Sequence, residues 1–209
     1  MLEFDAGSIV PSTRDLLQVI ATKKKSLALI AAVGPDHPAE DAVRLHDLNV
    51  SALAFAEPAP AMQLGATATK TVPSLCLLPV QDRDACLRAR YHGADGVCVD
   101  TSLPLDEWDK LAKHARSTRM LPLALVADVA GAEAAVKAGA RAVLIRAASA
   151  EAVLEIAKTL PRALTVVAEI ADADAAALRA LLGSVDAAVV PQTLHTAPGF
   201  ADLIIEVDP

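Results

Sequence analysis

The sequence predicts an α/β protein folded as one (β/α)8 TIM barrel, with a short N-terminal extra helix and trimmed loops at the catalytic face. Three observations predict it. Short apolar runs alternate with Ala-rich amphipathic segments from residue 27 onward, the pattern of a parallel sheet wrapped by helices. A weak repeat, seen at His92-Gly93-Ala94-Asp95-Gly96-Val97, Ala138-Gly139-Ala140-Arg141-Ala142-Val143 and Gly183-Ser184-Val185-Asp186-Ala187-Ala188, places Gly at a helix end before a strand, where it supplies the left-handed cap. The first strand is followed by Gly34-Pro35-Asp36-His37, not by the Gly-rich phosphate turn of an open doubly wound sheet.

Taken in order, residues 1–26 form an N-terminal extension with one helix, and residues 27–209 form the barrel, together a single structural domain. Ser12-Thr13-Arg14-Asp15 resembles a capping box opening a helix over 16–21, whose apolar face of Leu16, Leu17 and Ile20 is expected to pack on the barrel. Strands are predicted at 27–33, 52–57, 74–78, 96–100, 121–127, 142–146, 164–169 and 187–190. Helices are predicted near 39–49, 61–70, 82–92, 105–117, 131–138, 149–159 and 172–182, with a last short one after Pro198. Their first turns carry suitable caps and acids, such as Asp82 with Asp84, Asp106 with Glu107, Ser149 with Glu151, and Asp172 with Asp174.

Composition narrows the function classes. Apolar residues are 54% of the 209 and aromatics only 2%, so the core must be built from Ala, Val and Leu. A net charge of −7 argues against nucleic acid or an anionic membrane as partner, and Lys23-Lys24-Lys25 is too short a run to change that. Cys76, Cys86 and Cys98 lack paired metal-ligand spacing and read as buried free thiols in a reducing compartment, with no metal and no cofactor expected. The opening MLEFDAGSIVPS has no basic stretch followed by an apolar run, and no apolar run reaches membrane-spanning length, so a cytoplasmic protein is expected.

In such a barrel the chemistry sits at the carboxyl ends of the strands. Here three of those ends are apolar: Ala32-Val33-Gly34, Leu77-Leu78-Pro79 and Val189-Val190-Pro191. The polar groups at or near strand ends are Glu57, Asp100, Asp128, Arg146, Glu169 and Gln192, with Asp36, His37 and His195 in adjacent loops. Glu169, Arg146 and Asp128 are the catalytic candidates; Glu57, Asp100, Arg146, Glu169 and Gln192 are the ligand-binding candidates. Two readings stay open. Arg146 could grip a ligand carboxylate or phosphate, or it could simply neutralise Glu169 on the neighbouring strand. Asp128 carries its own difficulty, because strand neighbours face opposite ways; if Ala127 points into the barrel, Asp128 points toward the helices. His46, His92 and His114 fall on helices and are expected to face solvent. Trp108 and Tyr91, also on outer helices, read as helix packing or as anchors for a partner protein.

Between about Leu16 and Pro198 the chain resembles the indole-3-glycerol-phosphate synthases of tryptophan biosynthesis. Leu27 to Val33 is similar to that family's first strand, Leu-Ile-Ala-Glu-Val-Lys, and Ala56-Glu57-Pro58 to its Thr-Glu-Pro. Pro73 to Asp95 aligns without a gap, ending in Ala89-Arg90 and Gly93-Ala94-Asp95, and Val166-Val167-Ala168-Glu169 is similar to its Val-Val-Ala-Glu-Ser-Gly. The resemblance implies ring closure, decarboxylation and dehydration by a lysine acid, a glutamate base and a Glu/Lys pair. At the matching positions this chain has Ala32 and Gly34, Leu77 with Cys76 beside it, Ala127, Arg146, and Ile170-Ala171 after Glu169, with Pro191-Gln192 at the phosphate turn. Leu77 cannot transfer a proton, and Pro191 offers no N–H to an anion. The expectation is therefore a non-catalytic relative acting as a scaffold, partner-binding or regulatory protein, whose partner is another protein or a second copy of the chain. The alternatives are a rewired barrel using Arg146 and Glu169 on a small anionic metabolite, and a weakly active synthase.

Overall fold

The computed structural model describes residues 9–208. Residues 1–8 of the N-terminal extension and Pro209 lie outside the described residues. Helix α1 (Leu16–Ile20) leads into β1 (Ala28–Ala32), and seven further units follow. They are α2 (Pro38–Asp47) and β2 (Ala52–Phe55), α3 (Pro60–Ala68) and β3 (Ser74–Val80), α4 (Arg83–Tyr91) and β4 (Gly96–Asp100), and α5 (Leu105–Ser117) and β5 (Leu121–Val126). The chain continues through α6 (Val129–Lys137) and β6 (Ala142–Ala147), α7 (Ala150–Ala157) and β7 (Thr165–Ile170), and α8 (Ala175–Leu181) and β8 (Ala187–Val190). It ends in α9 (Gln192–His195) and α10 (Phe200–Val207). The strands pair in parallel, each with its sequence neighbour, and β8 returns to β1, closing the eight-stranded barrel. The predicted fold class is the observed one.

Side-chain alternation sorts the strands into two cores. Ala28, Ile30, Ala52, Ala54, Leu75, Cys98, Leu123, Ala142, Leu144, Val167, Ala187 and Val189 fill the barrel interior. Their neighbours, among them Leu29, Leu53, Val97, Val143 and Val166, face the helices and pack with residues such as Leu45, Met62, Trp108, Val153 and Leu178. With so many alanines inside, the barrel needs an outside contribution, and α1 provides it. Leu16 and Ile20, one turn apart on the same face, join the interior cluster at 1% and 0% exposure. A Cβ on Gly96 would overlap Leu16 Cδ2, so glycine at the start of β4 opens the space for the plug.

The predicted capping box is a single cap. Asp15 accepts from Gln18 N, while the Ser12 hydroxyl turns away to Asp95 Oδ1 at 2.5 Å. Asp95 is the centre of the amino-terminal end of the barrel. Its buried carboxylate takes Arg14 Nε at 2.7 Å, Arg90 Nη1 at 2.8 Å and the backbone N–H of Ser74 at 2.8 Å. Asp186, at the matching place before β8, accepts from the N–H groups of Val166 and Lys24. Two of the three copies of the repeat thus share a device: the acid before a strand binds an N–H at the first or second residue of the preceding strand.

The glycines of the repeat adopt the left-handed conformation, with φ of 102° at Gly93, 67° at Gly139 and 76° at Gly183. In the turns after α4 and α6 the glycine N–H returns to the residue three back and the following N–H to the residue five before it. The turns after α2 and α5 make the same two bonds around Asn49 (φ 61°) and Arg119 (φ 59°).

Of the two readings for Trp108, helix packing holds: it is 2% exposed and packs within the outer core. One expectation needs correction. His92 and His114 are half-buried, not solvent-facing, each with one ring nitrogen withdrawn from water. Helix α9 has no counterpart in the predicted elements, because four residues give no periodicity to read.

Candidate functional site: the carboxyl mouth of the barrel

Arg146 and Glu169 sit side by side in the register of β6 and β7, near their carboxyl ends. Both lie in the inward-facing phase, two residues beyond Leu144 and Val167. Arg146 Nε donates to Glu169 Oε2 at 2.8 Å, and its Nη2 reaches across the barrel to the Leu77 carbonyl on β3 at 3.0 Å. The side chains keep 40% and 18% of their surface, so the guanidinium is the more hydrated partner. One side chain thus spans the mouth between two nonadjacent walls.

Its acceptor on β3 depends on an irregularity. The β3–β4 register shifts between Cys76 and Pro79, which sends Leu78 out to solvent at 49% exposure and leaves the Leu77 carbonyl available to Arg146. The readable signal was Pro79, since proline within a strand is confined to edges and bulges.

The other candidates are not gathered around this pair. Asp128 is exposed and caps α6, its Oδ1 accepting from Gly131 N at 2.7 Å, so the carboxylate is turned to the helix layer. Asp100, half-buried at the end of β4, closes a local turn by accepting from Ser102 N. Glu57 is exposed beyond β2. Gln192 is exposed at the start of α9, its side-chain amide lying over Gly34, where a Cβ would meet it at 2.6 Å. Asp36 and His37 are exposed, and His37 stands 4.0 Å from Glu40.

His195 takes a place that the sequence did not disclose. It is 2% exposed; its Nε2 lies 2.6 Å from the Ala32 carbonyl and its Nδ1 3.0 Å from Arg44 Nη2. A carbonyl only accepts and a guanidinium only donates, so the ring is neutral with its proton on Nε2. Burial pushes its pKa below the ordinary 6.5, opposed by the bond to Ala32. Asp41 pairs with Arg44 at 3.2 Å and completes the clasp, which ties α9 to β1 and α2. The histidine is a strut for the mouth and is turned away from it.

The thiols offer no nucleophile. Burial pushes Cys76 up to about 11 and Cys86 up to about 12, and it raises Cys98 further still, with Glu169 adding to that rise and Arg146 opposing it. Every lysine lies in the α1–β1 turn, within an outer helix, or just past a helix's carboxyl end, so none follows the carboxyl end of a strand.

No protein-family model matches the chain, and no curated protein sequence matches it. Among solved structures it is similar to an N-acetylmannosamine-6-phosphate 2-epimerase from Clostridium perfringens. The TM-score is 0.68 at 13% identity, over 88% of this chain and 92% of that one. At that identity the likeness establishes the TIM barrel and leaves the chemistry to the residues. No helix among the described residues is long and apolar enough to cross a membrane.

Proposed function

We propose that this chain is a non-catalytic relative of the indole-3-glycerol-phosphate synthases, working in the cytoplasm as a scaffold, partner-binding or regulatory protein. The observation that carries the reading is Arg146. At the mouth, its guanidinium is engaged by two groups of the protein itself, Glu169 and the Leu77 carbonyl. Leu77, at the position where the resemblance puts the synthase's strand-three lysine, gives this pair only its backbone carbonyl. With no lysine beyond a strand end and raised thiol pKa values, the mouth offers, among the described residues, no lysine or thiol suited to protonating a substrate carbonyl at neutral pH. Pro191 caps α9 without a side-chain bond and contributes no N–H, which weakens the usual phosphate end of such a barrel.

The test is indole formation from the anilinic ribulose phosphate precursor, followed by fluorescence with the protein in large excess. The expected signal equals the buffer blank; turnover above it would return the chain to the synthases. A second reading, a binder of a small anionic metabolite at the mouth, is favoured by the 40% of the Arg146 side chain left open to water. It predicts a melting shift of several degrees with some anionic metabolite, lost in Arg146→Met.

A further inference from the structure

At the opposite end of the barrel the structure holds a cavity of about 410 Å³, a volume suited to a small organic ligand. Its rim carries Arg116, Arg119 and Arg141, from the end of α5, the turn after it, and the residue before β6. Leu17, Met120 and Pro122 give it an apolar wall. The carboxylates that also line it are already committed: Asp95 to Arg14, Arg90, Ser12 and Ser74, and Asp15 to the cap of α1. The three rim guanidinium groups have no ion pair or side-chain hydrogen bond among the described residues. In a chain of net charge −7, three unpartnered arginines around one cavity are a local excess that packing does not require.

Arg119 adds a second, independent observation. It occupies the left-handed position of a turn whose two capping bonds are the same as those at Gly93 and Gly139. Glycine takes that conformation without strain, whereas an arginine is strained there, so its side chain is held at the rim at the expense of the fold. We infer that this amino-terminal cavity is a binding site for a small anion of the carboxylate or phosphate class bearing an apolar group. The anionic head would be held by the planar forks of Arg116, Arg119 and Arg141 and the apolar group laid against Leu17, Met120 and Pro122. The site is independent of the mouth and does not rest on the function proposed above.

Isothermal titration of the full chain with phenyl phosphate and with phthalate, at low ionic strength and neutral pH, tests it. Saturable binding of either supports the site, and which of the two binds more tightly names the head group. Arg119→Gly and Arg141→Gln should each weaken that binding at least tenfold. Arg119→Gly should at the same time melt no lower than the parent, because glycine relieves the turn; a purely structural arginine would give the reverse. Absence of binding by both probes, binding indifferent to Arg119→Gly and Arg141→Gln, or binding abolished by Arg146→Met, which would place the anion at the mouth, would each overturn the inference.

Discussion

The two ends of the barrel hold their charges in opposite ways. At the amino-terminal end, Asp95 has no exposed side-chain surface and satisfies its carboxylate with two arginines, a serine hydroxyl and a backbone N–H. At the carboxyl end, Glu169 and Arg146 share one ion pair at 18% and 40% exposure, and only a bulged carbonyl secures the far side of the arginine. A buried acid with four partners is part of the framework, since removing the acid takes the counter-charge from two largely buried arginines at once. A half-hydrated pair is peripheral to it. The comparison places stability at the base and leaves the mouth free to diverge, the usual division of labour in this architecture.

The comparison breaks most visibly at Asp95. Asp95→Ala leaves two partly buried guanidinium groups with backbone carbonyls but no counter-charge and should cost about 3–5 kcal/mol in chemical denaturation; a cost below 1 kcal/mol would dissolve the distinction between the ends. Asp186→Ala should cost less, about 1–3 kcal/mol, because the acid serves two backbone N–H groups and no charge.

The mouth pair should come next, and its asymmetry is informative. The guanidinium reaches water and the carboxylate is the more enclosed. Arg146→Met should therefore cost about 1–2 kcal/mol, with the Leu77 carbonyl also losing its donor, and Glu169→Gln about 1 kcal/mol or less. Equal or inverted losses in paired urea titrations would refute the account of the mouth.

Acidity sharpens the contrast further. The pKa of His195 is lower folded than unfolded, so the unfolded chain binds its proton more readily. Its contribution is present in full above about pH 6.5 and is lost as the pH falls through the folded value. His92 and His114, lowered chiefly by burial, act in the same direction. Stability measured downward from pH 7 should decline, and His195→Gln should flatten part of that decline; an unchanged slope would remove the neutral strut from the description. The smallest expected effect is at the base, where Arg119→Gly should raise stability by roughly 0.5–1 kcal/mol by relieving a left-handed arginine.

Strand and helix periodicity made the barrel readable, because an inward and an outward core each need their own apolar phase. Gly93, Gly139 and Gly183 marked three turns in advance, since only their backbone freedom distinguishes those positions. Arg146 and Glu169 were readable as a pair because register follows from strand alignment, and they meet. What escaped depended on contacts distant in sequence. His195 finds its partners Ala32 and Arg44 far earlier in the chain, and no local pattern announces a buried imidazole. Ser12 looked like a helix cap because its sequence context fits one, but Asp95 competes for its hydroxyl. The direction of Asp128 is set by a helix start, since its carboxylate accepts from Gly131 N, which strand alternation alone does not specify.

The plug formed by α1 bears on the order of events in folding. Leu16 and Ile20 fill a space bounded by residues of most of the strands, from Ala28 on β1 to Val189 on β8. That space is complete only in the closed barrel, so the contacts of Leu16 and Ile20 depend on strands that follow them in the chain, and a late docking of α1 is the order this geometry favours. Contacts absent from the transition state govern how quickly a fold is lost more than how quickly it is gained. The plug is thus placed to act as a latch on lifetime: trimming Leu16 would quicken opening while leaving the barrel's assembly rate nearly as it was.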